Sequence, residues 1–192
     1  MNEITNLKFS LKTSQAIDSI LNVSAHSVTA DLITGREYIA PGHAPLASIL
    51  YDYGFIIVKL KKENENNLFE TNLFDTDNNT NEKNVKVLFY VFENAAFQVS
   101  TEFDSKTNLK YTNVLVAPYS NNFCNLSNVN DKEKFIEELK AKKNSLANIS
   151  QLINFKSGKK VNFSINKEKN MEYFINKILD TFNSPYFLKY QG

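Results

Sequence analysis

The side chain with the most chemistry open to it is a lone thiol. Cys124 lies in the stretch Ala117-Pro118-Tyr119-Ser120-Asn121-Asn122-Phe123-Cys124-Asn125-Leu126. The sequence before it is strand-like and the sequence after it is helical. Amides able to donate hydrogen bonds flank it at Asn121, Asn122 and Asn125. A thiol attacks as thiolate, so reactive cysteines sit near positive charge or a helix N-terminus. No lysine, arginine or histidine lies between Tyr111 and Asp131. A helix starting near Asp131 is the one local feature that would favour the anion. The alternative is burial: free cysteine packs as a small hydrophobe, and Phe123 and Leu126 stand beside it.

Other chemistries find less support. A Cys–His pair would need His26, at the start of a strand-like run, or His43, in a Pro/Gly loop. Two histidines and one cysteine lack the paired spacing of a zinc site. Asp75-Thr76-Asp77-Asn78-Asn79-Thr80-Asn81 has the outline of a calcium loop, but Thr80 replaces the turn glycine and Lys86 the bidentate glutamate. The glycines at Gly35 and Gly42 form no phosphate-binding fingerprint. The sequence therefore calls for no metal and no cofactor.

Composition narrows the class. The chain has 192 residues, 42% hydrophobic and 22% charged, with a net charge of +1. This is the profile of one globular domain over residues 1–192, with residues 1–40 read as a β extension. Arg36 is the only arginine, which argues against base-specific nucleic-acid readout. A single cysteine allows no internal disulfide. No signal-like segment opens the sequence, and no apolar run approaches the ~18–20 residues needed to cross a bilayer. The expectation is a cytoplasmic protein with no membrane and no specific nucleic-acid partner.

The periodicities then place the elements. Leu7–Leu11 and Val28–Ile33 alternate as strands, the second ending at the Thr34-Gly35 turn. Residues 14–23 fit helical spacing. Pro45 opens an expected helix over 45–53, with Leu46, Ile49, Leu50 and Tyr53 on one face and Gly54 as its C-cap. Strands follow at 55–61, 68–74, 85–92, 96–103 and 111–116, read as an antiparallel meander. After Cys124 a helix capped by Asn130 or Asp131 is expected, then a short strand over Val161–Ile165. A helix over 168–182, capped by Asn166, carries Phe174, Ile175, Ile178 and Phe182 on one face. The fold class is α+β: an antiparallel β-meander flanked by an N-terminal helix and C-terminal helices.

Three segments carry a family likeness. They are Pro41-Gly42-His43-Ala44-Pro45-Leu46, Ala117-Pro118-Tyr119-Ser120-Asn121 leading to Cys124, and Phe182-Asn183-Ser184-Pro185-Tyr186-Phe187. With the order of elements, they resemble the divergent prokaryotic ubiquitin-conjugating-enzyme-like family that includes protein B of PRTRC gene cassettes. The resemblance implies a UBC-like fold and a transferase in which Cys124 carries a ubiquitin-like protein as a thioester. An activating enzyme would load it, and Asn121 or Asn122 would hold the oxyanion. The alternative is a non-enzymatic interaction or accessory protein of a mobile genetic element or phage on an α+β scaffold.

Overall fold

The computed structural model describes residues 4–12, 21–61, 86–105, 107–120, 122–156, 162–184 and 187. The chain divides into two compact units, Met1–Asn128 and Val129–Gly192.

The described residues of the first unit form a nine-stranded mixed sheet. Its strands are β1 (Leu7–Leu11), β2 (Leu21–Leu32), β3 (Gly35–Ile39), β4 (Leu46–Ile49), β5 (Phe55–Leu60), β6 (Val87–Phe92), β7 (Ala95–Asp104), β8 (Leu109–Pro118) and β9 (Phe123–Asn125). They run in the order β4-β7-β8-β1-β2-β5-β6-β9, with β3 also paired to β2. All pairs are antiparallel except β1–β8, which is parallel with Leu7 opposite Thr112. In β2, Val23 and Ala25 are buried, then Val28, Ala30 and Leu32. The alternation slips by one where the pairing with β5 shifts between Ala25 and Ser27. Such a bulge bends one long strand that serves β1 and then β3 on one edge and β5 on the other. Phe9, Phe92, Phe97, Leu11, Leu50, Ile56 and Val116 belong to one apolar interior.

Three parts of the expected fold need correction. The strands are not a meander. β6 and β7 are separated only by Glu93 and Asn94, yet β6 pairs with β5 and β9, and β7 with β4 and β8. The chain therefore crosses between two parts of the sheet at this bend. Tyr53 N donates to Glu93 O at 2.7 Å and Leu50 N to Ala95 O at 2.9 Å, tying the crossing down. The helix expected over 45–53 is the second error, and with it goes the UBC-like arrangement; among the described residues no helix precedes the sheet. Residues 46–49 are β4, paired with β7 from Leu46–Val99 to Ile49–Ala96. The spacing of Leu46, Ile49, Leu50 and Tyr53 is helical, but pairing with the open edge of β7 decides the outcome and splits them between faces, Leu50 buried and Ile49 exposed. Gly54 ends a tight turn rather than a helix. A Cβ there would lie 2.7 Å from Tyr51 O and 3.0 Å from Asp31 O.

The second unit is a helical pair, α1 (Lys132–Lys156) and α2 (Asn162–Phe182). Asp131 caps α1, its Oδ1 accepting from Lys134 N at 2.9 Å. Phe135 meets Phe182 edge-on at 5.9 Å, and Phe182 meets Phe187 at 5.0 Å. Lys132 Nζ lies 5.5 Å from the Phe182 ring centroid. The start of α1 thus lies against the end of α2, as in an antiparallel hairpin. Phe174, Ile175, Ile178 and Phe182 are buried, as the periodicity predicts. Residues 162–165, expected as a strand, form the first turn of α2. Three alternating apolar residues could not outweigh the helical run that follows. The strand expected at 68–74, the calcium-like loop at 75–81 and most of the helical spacing at 14–23 lie outside the described residues. No described helix is long and apolar enough to cross a membrane.

Candidate functional site

Cys124 sits in the short strand β9, opposite Val91, which in turn lies opposite Phe55. Its row across the sheet is therefore apolar. The thiol is half-buried, and burial pushes its pKa up from the ordinary 9.0 to about 11. Neighbouring Phe123 stacks on Phe92 at 5.8 Å and anchors the strand to the core.

The flanking amides serve the loop between β8 and β9. Asn122 Nδ2 donates to Glu93 Oε2 at 2.9 Å, and Ser120 Oγ donates to the same oxygen at 2.7 Å. Glu93 N donates to Asn122 O at 2.9 Å, closing the link on the backbone. Asn125 Oδ1 accepts from Ser127 N at 3.0 Å, and Ser127 Oγ accepts from Phe89 N at 2.7 Å. Asn121 lies outside the described residues. The sequence thus picks out a real structural junction, in which Asn122 is committed to Glu93. His26 is exposed on β2, and His43 Nδ1 lies 2.7 Å from Ala44 O. Among the described residues no three His, Cys, Asp or Glu side chains converge as a metal site. The lone arginine is also committed: Arg36 Nε contacts Asp31 Oδ1 at 2.8 Å, and its Cζ lies 4.8 Å from the Phe55 ring centroid.

A second feature arises only from strand pairing. At one end of the sheet Leu32 bridges Leu50, Leu50 N donates to Ala95 O, and Ala95 lies opposite Pro118. This row is buried. Successive strand residues face opposite ways, so the rows on either side of it face outward. One outward row is Ile33, Ile49, Ala96 and Ala117, fixed by Ile33 N donating to Ile49 O at 3.0 Å. The other is Asp31, Tyr51, Asn94 and Tyr119, fixed by Tyr51 N donating to Asp31 O and Tyr119 N to Asn94 O. Ile33, Tyr51 and Tyr119 are each 60% exposed and Ile49 is 41% exposed. Two alanines leave a shallow floor among these larger side chains.

Further along the same face of β7 and β8 the surface is polar. Glu102 accepts from Tyr111 Oη at 2.8 Å, Asn113 Nδ2 at 2.6 Å and Ser100 Oγ at 3.1 Å. Burial raises the Glu102 pKa, but these bonds and the Lys8 charge outweigh it and hold the carboxyl below its usual range. The bond to Glu102 is the main reason that the Tyr111 phenol is pushed up to about 12.

No family model and no curated protein matches the chain. Among solved structures, a chain of the cryo-EM structure of the Euglena gracilis mitochondrial ATP synthase (OSCP/F1/c-ring, rotational state 1) is similar over 95% of this chain and 84% of that one. Its identity is 13% and the TM-score 0.49. A chain of the Tetrahymena thermophila mitochondrial ATP synthase structure (central stalk/c-ring) is similar over 92% of this chain and 98% of its own length, at 9% identity and a TM-score of 0.39.

Proposed function

We propose that the chain is a non-enzymatic interaction module, a component of a larger protein assembly that docks another polypeptide on the apolar end of its sheet. The carrying observation is the pair of outward rows, in which Ile33, Ile49, Tyr51 and Tyr119 stand together and exposed. Isolated apolar residues on a surface need no explanation, but a contiguous group does. These four expose on the order of 400 Å² together, the size at which surface patches commonly serve binding. Tyrosine is also favoured at interfaces, because its body is apolar and its tip can hydrogen-bond.

The competing proposal is the thioester carrier. It needs the Cys124 thiolate, and an apolar row is a poor place for one. It also needs a free amide donor, whereas Asn122 Nδ2 already serves Glu93.

Photo-crosslinking tests the docking reading. A benzophenone amino acid would replace Tyr119 or Tyr51 in the full chain, expressed in its source cells. Exposed Phe103, on the β7–β8 hairpin, would serve as control. An adduct to another polypeptide from 119 and 51, absent from 103, is expected. No adduct from 119 or 51 would overturn the proposal. For the competing reading, purified protein would be incubated with a ubiquitin-like protein and its activating enzyme. A band that is lost on reduction and absent in Cys124→Ala would establish the thioester instead.

A further inference from the structure

We draw no further inference here: the strongest candidate, the exposed patch of Ile33, Ile49, Tyr51 and Tyr119 at the apolar end of the sheet, belongs to the docking site already described, and nothing in the structure shows what covers it.

Discussion

The ionisation of Cys124 offers the sharpest check on the reasoning. Its thiol is raised from 9.0 to about 11 because Val91 and Phe55 share its row and water is largely excluded. At pH 8 that rise lowers the thiolate fraction roughly 100-fold relative to an unperturbed cysteine. Alkylation by iodoacetamide should therefore be about 100-fold slower in the native protein than in the denatured one, before any steric shielding is added. Following the native rate from pH 7 to 11 gives a second reading. The rate should climb about tenfold per pH unit without levelling near 9. The sign for stability follows from the same rise. The folded pKa lies above the unfolded one, so the contribution is fully present below about 9 and is lost as pH rises toward about 11. Cys124→Ala should remove that alkaline loss and fold normally. Fast labelling at pH 7, or a rate that levels near pH 8, would refute the burial argument and revive the nucleophile.

Gly54→Ala should destabilise the β unit by about 1–3 kcal/mol in a denaturant melt, because the added Cβ meets backbone oxygens that cannot move aside. Phe174→Ala should cost roughly 3–5 kcal/mol in the same kind of melt, because the ring is buried. Glu102 has its folded pKa lowered, so its contribution is present above the unfolded carboxylate value and is lost as pH falls through the folded one. Glu102→Gln should flatten this part of the acid-side stability curve, and an unchanged curve would show that the exposed bonds to Tyr111, Asn113 and Ser100 carry no net weight.

Much of the β unit is legible residue by residue. Val28 to the Thr34-Gly35 turn, Phe55–Leu60, Val87–Phe92 and Ala95–Asp104 each show their strand character in period and composition. Their partners are less accessible. Nothing in residues 93–94 distinguishes a hairpin from a crossing, because both need a short polar bend; the outcome depends on whether β4 and β5 can each supply an edge. Leu46–Tyr53 departs from its helical spacing for a related reason: pairing with β7, which no local pattern announces, selects a strand. The junction around Cys124 is legible from the lone thiol and its flanking amides at the change from strand to helical pattern, although the role of Glu93, 29 residues from Asn122, is hidden. The exposed apolar patch is not visible in the sequence. Ile33, Ile49, Tyr51 and Tyr119 are scattered along the sequence, and each is unremarkable until strand pairing sets them side by side.

The parallel seating of β1 has a consequence for synthesis. This five-residue strand lies between β8 and β2, so one of its edges is filled only by residues 112–116. A ribosome adding roughly 5–20 residues per second reaches that partner about 5–20 s after β1 is made. Through that interval Leu7, Phe9 and Leu11 belong to a hairpin with β2 whose outer edge is open. The sheet has no local nucleus that includes β1 and β8 together, and closure waits on a contact more than 100 residues apart in sequence. Nascent chains stalled before residue 109 should therefore bind chaperones and resist compaction, whereas chains released past residue 118 should close the sheet at once.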